Sequence, residues 1–370
     1  MTALHLHQVW LVARLQLARV FFSKRSFWVY GLALFPAIAF FAHGVETQIT
    51  RSHWSPLAVA PASLESIHEG NKDEQVLARL GAPIRENSFD APRGIFRPGR
   101  RLGPGPGSGD EPTVRYRILH YFDGQRRWDL NFETGILQRI ESHLIISFDE
   151  DRSVFAAIFQ HFYLRLAIFF GCLGIFINLF RGEMLDKTLH FWFLAPMRRE
   201  VLLAGKYLAG LIAASAIFTT GAVLAYAAML WPQDAAQVSA FWSSHGPQHL
   251  LWYAASAALA CLGYGAVFLA AGMFLRNPVI PAIVILLWEN INGVLPAVLQ
   301  KLSVLYYVES LAPVPPPMDP NAPMLIRLLA SPAAPPPPAF AIAGLIALTG
   351  VVLWLSARTA RELEINYGTD

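Results

Sequence analysis

The sequence predicts an α-helical polytopic membrane protein with six transmembrane helices and an inserted extracytoplasmic α+β domain. Three observations carry this. The 370 residues are 54% hydrophobic and only 15% charged, with mean hydropathy +0.39, whereas a soluble domain carries about 25% charged residues. Apolar segments of span length alternate with polar or proline-rich stretches. Basic residues are distributed unevenly between the short loops. Arg14, Arg19, Lys24 and Arg25 precede the first span with no acid among them, and residues 231–249 hold no Lys or Arg. That asymmetry places the N-terminus in the cytosol. The net charge of +3 is too small to support a nucleic-acid partner. Cys172 and Cys261 both lie inside apolar segments, so they are no secreted disulfide framework.

Residues 1–26 read as a basic interfacial helix. Leu6, Trp10, Ala13, Leu17 and Phe21 share a face, with Arg14 and Arg19 elsewhere. His5 and His7 form an isolated pair, and a metal site needs more ligands. Residues 27–43 are the first span. A signal peptide is the competing reading, because a basic region precedes and Ala39–Ala42 has cleavage-site spacing. The long preceding region, Pro36 and the bulky aromatics favour an uncleaved anchor.

Residues 44–153 read as the extracytoplasmic domain. A Pro/Ser-containing linker runs to about Ser63. Leu64 to Leu80 looks helical and is stopped by Gly81-Ala82-Pro83. Residues 93–112 are rich in Gly, Pro and Arg and read as a flexible loop. Their GPGPGSG run is no phosphate loop, since prolines remove donors and no Lys-Ser/Thr follows. Thr113–Phe122, Arg126–Phe132 and Ile136–Phe148 form a three-stranded meander, with turns at Asp123-Gly124 and Thr134-Gly135. This helix-then-meander order resembles small α+β modules of bacterial envelope lipoproteins. No catalytic constellation occurs here. The Asp149–Asp151 run reads as a solvated edge.

The second span is 154–180. Arg165 lies 16 residues before Arg181, about 24 Å along a helix in a core about 30 Å thick. It can therefore snorkel at the outer boundary or take part in a gate. A cytosolic loop, 181–201, leads to span three at 202–230. Span four is 250–275, and Arg276-Asn277 makes a short cytosolic turn. Span five is 278–300, opened by Pro278. It contains Glu289 and Asn290, about 19 Å beyond Arg276. An intramembrane carboxylate faces a cavity or a partner. Three readings fit: a translocation path, a structural hydrogen-bond pair, or a span that ends early at Gly293 and Pro296. Residues 301–338 are an extracytoplasmic connector. Lys301–Leu311 is amphipathic, and Pro315–Pro317 and Pro335–Pro338 are polyproline-like. Residues 339–357 are the last span, and 358–370 a cytosolic tail bearing Arg358 and Arg361.

The loop from Arg181 to Lys206, RGEMLDKTLHFWFLAPMRREVLLAGK, carries the function reading. Leu185, Leu189, Trp192 and Phe193 fall on one helical face, and Glu183, Asp186, Lys187 and His190 on the other. Pro196 ends that helix, and Arg198-Arg199-Glu200 begins the next. The pattern fits a loop lying on lipid headgroups or a docking helix for a cytosolic partner. Glu183, Thr188-Leu189, Pro196, Arg198-Arg199-Glu200 and Gly205-Lys206 resemble the cytoplasmic loop of the type-2 ABC exporter permeases. Lys187 stands where that family has Gly, and Met197 where it has Val. The order of spans resembles the subgroup with a large extracytoplasmic domain after span one.

The resemblance implies an inner-membrane permease with both termini cytoplasmic, paired with a second copy or a paralogue. It implies a separate ATP-binding cassette subunit that holds ATP and Mg. It also implies that Glu183, Leu185, Thr188, Leu189, Trp192, Phe193, Pro196, Arg198, Arg199 and Glu200 couple to that subunit. The chain has no G-x-x-x-x-G-K-[ST] of its own, and no cofactor of its own is expected. An intramembrane enzyme lacks parts, since neither H-E-x-x-H nor G-x-S-x-G occurs. The alternative is a non-transporting receptor or scaffold whose 44–153 domain binds a ligand or protein.

Overall fold

The computed structural model describes residues 3–22, 27–92, 113–185, 192, 194, 197–274, 279–292, 295–315 and 336–362. The Gly/Pro-rich loop at 93–112 and most of the proline-rich connector lie outside them. The chain divides into two compact units: Met1–Phe41 with Asp149–Asp370, and Ala42–Phe148.

The first unit is helical. Helix α1 is Ala3–Phe22 and α2 is Phe27–Trp54. Among the described residues five helical stretches are long and apolar enough to cross a membrane: Phe27–Leu57, Phe148–Phe180, Arg199–Leu230, Gly246–Met273 and Pro338–Ala360. The architecture is compatible with a helical membrane protein. The segment expected to be span five, 278–300, is described over 279–292 and 295–300. Helix α10, Val279–Ile291, has 13 residues, about 20 Å of rise against a core of about 30 Å. The chain turns at Asn292, whose Nδ2 donates to the Gln300 carbonyl at 3.3 Å. A four-residue helix, α11 (Ala297–Gln300), then starts after Pro296. Ser303 caps α12, Val304–Glu309, by accepting from Tyr306 N at 3.1 Å.

The bundle centres on α6 (Ile168–Leu185), α7 (Arg199–Leu230) and α9 (Gly246–Phe274), which pack on one another, with α13 (Pro338–Glu362) against α7 and α9. Helix α8 is Ala235–Ser244. Helix α6 follows α5 (Phe148–Ala157) through a π-helical stretch, Ile158–Ala167. Such wide turns are rare, and this one carries Arg165. Helix α1 lies along α7. Its packed face is Val12, Ala13, Gln16 and Val20. Of the stripe read from the sequence only Ala13 is fully buried, while Leu6 and Trp10 are exposed. α1 is apolar around most of its circumference, so periodicity alone does not choose the packed face. Gly205 allows the approach: a Cβ there would lie 2.6 Å from the Val12 Cβ.

The second unit holds an antiparallel sheet of order β1-β2-β3-β4. The strands are β1 Arg85–Pro92, β2 Thr113–Phe122, β3 Arg126–Glu133 and β4 Ile136–Leu144. The register pairs Leu119 with Leu130 and Leu130 with Ile140. These residues, with Tyr121, Phe132 and Leu137, pack against Leu64, Ile67, Val76 and Leu80. Strand β1 adds to the expected meander. Its RENSFDAP has a single aromatic and no β-branched residue, so propensity hides it. β4 stops at Leu144, and Phe148 begins α5. The helix expected over Leu64–Leu80 is two, α3 (Pro61–Glu65) and α4 (Asp73–Leu80), separated by Gly70 at φ +92°.

Arg117 on β2 binds Glu86 through Nε at 2.7 Å and Nη2 at 3.0 Å, and Asp73 on α4 through Nη1 at 2.9 Å. The Arg117 guanidinium holds the Glu86 carboxyl below its ordinary value. A lowered folded-state value gives stability that is present above the unfolded pKa, about 4.3, and is lost as pH falls through the folded value. Glu86→Gln therefore weakens amide-exchange protection of β1 and β2 near neutral pH. The difference from wild type, measured at matched pH, shrinks as pH falls below about 4.3 and the carboxyl protonates.

Candidate functional site

A cluster of charged side chains lies inside the bundle where α1, α6 and α7 meet. Lys206 on α7 is fully buried, and Glu183 on α6 is 5% exposed. Lys206 Nζ donates to Glu183 Oε2 and to the Leu179 carbonyl, both at 2.5 Å. It also sits 4.4 Å from the Phe180 ring centroid and 6.0 Å from that of Trp192, within cation–π range. Glu183 Oε1 accepts from Gln16 Nε2 at 2.6 Å and from Arg19 Nη1 at 3.2 Å, both on α1. The buried carboxylate thus has partners on both oxygens, as burial of a charge requires.

This corrects the expectation for Glu183, which was read on a charged, outward face. Helix α6 runs on to Leu185 and carries Glu183 inward against Lys206. Trp192, assigned to a partner-facing surface, is half-buried and within reach of the same ammonium. Thr188, Leu189, Phe193 and Pro196 lie outside the described residues, as do Asp186, Lys187 and His190. Leu194 is 78% exposed, an apolar loop residue the sequence reading passed over. Arg198 is exposed and is the N-cap of α7, its carbonyl accepting from Val201 N and Leu202 N. Arg199 Nη1 donates to the Ala360 carbonyl at 3.4 Å, which ties the start of α7 to α13. Glu200 stands in the first turn of α7, where a negative charge complements the helix dipole.

A second polar group surrounds α12. Glu289, at the end of α10, is 6% exposed. It accepts from Ser303 Oγ, from Val304 N at 3.1 Å and from Leu305 N at 3.2 Å. It supplies acceptors for the unpaired donors at the start of α12. At the other end of α12, Glu309 Oε1 meets Arg165 Nη2 at 2.7 Å, and Gln160 Nε2 donates to the Val314 carbonyl at 2.8 Å. Arg165 is therefore paired within the helical unit. Asn290 is exposed and donates to the Leu286 carbonyl one turn back. The two residues singled out for a translocation path do not share a face: Glu289 points inward and Asn290 outward. Glu183 and Lys206 both belong to the motif that carries the family resemblance, but their spacing did not announce the pairing. The pairing of Arg165 with Glu309, 144 residues apart, had no signal in the sequence.

No family model and no curated protein matches the chain. Among the described residues no group of three or more His, Cys, Asp or Glu could hold a metal ion.

Two predictions follow from these contacts. Glu183→Gln or Lys206→Met, each leaving a buried charge short of its partner, lowers stability by about 3–5 kcal/mol. The double variant recovers a large part of that loss, so a double-mutant cycle from chemical denaturation in detergent gives a clearly non-additive coupling. For the second cluster, Glu289→Gln removes one acceptor oxygen from buried backbone donors. It costs about 1–3 kcal/mol and lowers the thermal midpoint, whereas Asn290→Ala stays within about 0.5 kcal/mol of wild type.

Proposed function

We propose that the chain is the membrane-spanning permease subunit of an ATP-driven transporter of the type-2 ABC class, acting as an exporter. It works with a separate ATP-binding subunit and with a second permease copy or paralogue. The observation that supports this best is the pairing of Glu183 with Lys206. These residues bracket the stretch whose motif resembles the coupling loop of that class, and they bond directly to each other. A force on residues 186–198 is then delivered to α6 and α7 together, with α1 attached through Gln16 and Arg19. A docking loop must do this if it is to move two helices as one body.

The mechanism follows from differential contact. ATP binding on the partner changes which surface it offers to the loop. The permease conformation that fits the closed partner gains population by that difference in binding free energy. Two features of the bundle leave room for a second arrangement. Among the described residues, the hydroxyls of Ser256 and Tyr264 on α9 and Thr349 on α13 are buried without a hydrogen-bond partner. Each unpaired buried group costs about 1–3 kcal/mol, which an alternative α9–α13 packing that pairs them would regain. The six-residue α12 is too short to be stable alone and is held by Glu289, Arg165 and Gln160.

The test is co-purification from native membranes. Leu189→Asp/Leu194→Asp alters the loop and leaves the Trp192–Lys206 contact in place. Wild type is expected to retain an ATPase, and the double variant, inserted at equal level, to lose at least about 90% of it, as for truncation of a central apolar anchor. Well-folded wild type that retains no ATPase overturns the permease reading in favour of a receptor or scaffold.

A further inference from the structure

Helix α1 presents an outward surface that nothing in the coupling scheme uses. Opposite its packed face, Leu4, Leu11, Leu15 and Phe22 form one exposed stripe, and Phe22 is 88% exposed. Arg14 and Arg19 are exposed and, at about 100° per residue, flank that stripe by roughly 70° on either side. α1 contains no Asp or Glu, and the first acid of the whole sequence is Glu46. An apolar stripe edged by cations fits a membrane interface with negative headgroups. Connectivity decides the occupant. Only residues 23–26 separate Phe22 from α2, an apolar helix of spanning length, so this end of α1 stands at the bilayer boundary.

Arg19 adds a link to the interior. Arg19, Gln16 and Lys206 all bond to Glu183, and of these the Arg19 contact is the longest, 3.2 Å against 2.6 Å for Gln16 and 2.5 Å for Lys206. Its side chain is 62% exposed, and that of Lys206 is fully buried. If Arg19 lets go, both Glu183 oxygens keep a donor. A phosphodiester offers the guanidinium two oxygens in fork geometry, a better partner than one edge of an already shared carboxylate.

We propose that α1 is a recognition surface for anionic phospholipid, seated by its Leu4/Leu11/Leu15/Phe22 stripe, in which Arg14 and Arg19 bind headgroup phosphates and Arg19 exchanges between phosphate and Glu183. This rests on the membrane reading and needs no ATPase, so it stands or falls separately from the permease assignment.

The experiment uses the full chain in detergent, titrated with phosphatidylglycerol or phosphatidylcholine of the same acyl chains and read by native mass spectrometry. Wild type is expected to retain phosphatidylglycerol preferentially. Arg14→Gln and Arg19→Gln should each reduce that preference roughly fivefold. Arg19→Lys, which keeps the charge but loses the fork, should restore only part of it, and an unchanged thermal midpoint for Arg19→Gln shows that the fold persists on the Gln16 and Lys206 contacts. A wild type that retains both lipids equally overturns the proposal, as does a preference that survives in the Arg14→Gln/Arg19→Gln variant. If millimolar inorganic phosphate abolishes the preference while lipid chain length has no effect, the site binds free phosphate and the lipid assignment is wrong.

Discussion

A charge inside an apolar bundle has to be answered by another group, and that requirement organises the helical unit. Moving a carboxylate or an ammonium out of water costs several kcal/mol per ion even after relaxation. Glu183 and Lys206 meet that cost by facing each other, and Gln16, Arg19 and the Leu179 carbonyl take up remaining hydrogen-bonding capacity. The consequence is geometric. Three helices with ordinary apolar surfaces could slide or rotate against one another at small cost. With one ion pair shared among them, the depth and rotation of α1, α6 and α7 are fixed together. Gly205 belongs to the same arrangement, since the close approach of α1 to α7 depends on its missing side chain.

The same reasoning accounts for the break after α10. A chain that stops being helical within an apolar region must find partners for its freed backbone groups. Here Glu289 takes donors at the start of α12, Ser303 takes another, and Asn292 donates to the Gln300 carbonyl. The carboxylate that looked like a site for cargo is occupied with backbone. Its surroundings are polar for structural reasons first, and any transported group would have to compete with three existing hydrogen bonds.

Much of the helical unit was legible because length and apolarity are sufficient for a span. Four of the five long stretches lie within six residues of the expected span bounds, whereas α2 runs on to Trp54, well past the expected end of the first span at residue 43. What the sequence did not disclose depends on contacts distant along the chain. RENSFDAP lacks strand formers, and β1 exists because its backbone pairs with β2 from Arg85–His120 to Pro92–Thr113. Glu183 was placed on the charged face of the loop helix, because nothing local says that Lys206, 23 residues later, turns back to it. Arg165 read as a snorkelling or gating residue, and its pairing with Glu309 went unseen, for the same reason. Charge spacing along one helix gives depth, while the partner comes from another helix. Gly70 was legible as a breaker and was overlooked inside a periodic stretch, where a φ of +92° now divides α3 from α4.

The two polar clusters differ in what they could do if the helices shift. Around α12 the anchors hold a helix of six residues, which has almost no stability of its own, so loss of any anchor would release the segment. Around Glu183 the anchors join helices of 18, 20 and 32 residues, which persist whether or not the pair is made. A displacement arriving at residues 186–198 would therefore move the first cluster as a body and be expressed elsewhere, at the weakly self-supporting α12. Within the first cluster only Arg19 is exposed enough to change partner without stranding a buried charge. That makes α1 the element through which the surrounding lipid can act on Glu183, while Lys206 keeps α6 and α7 together in either state.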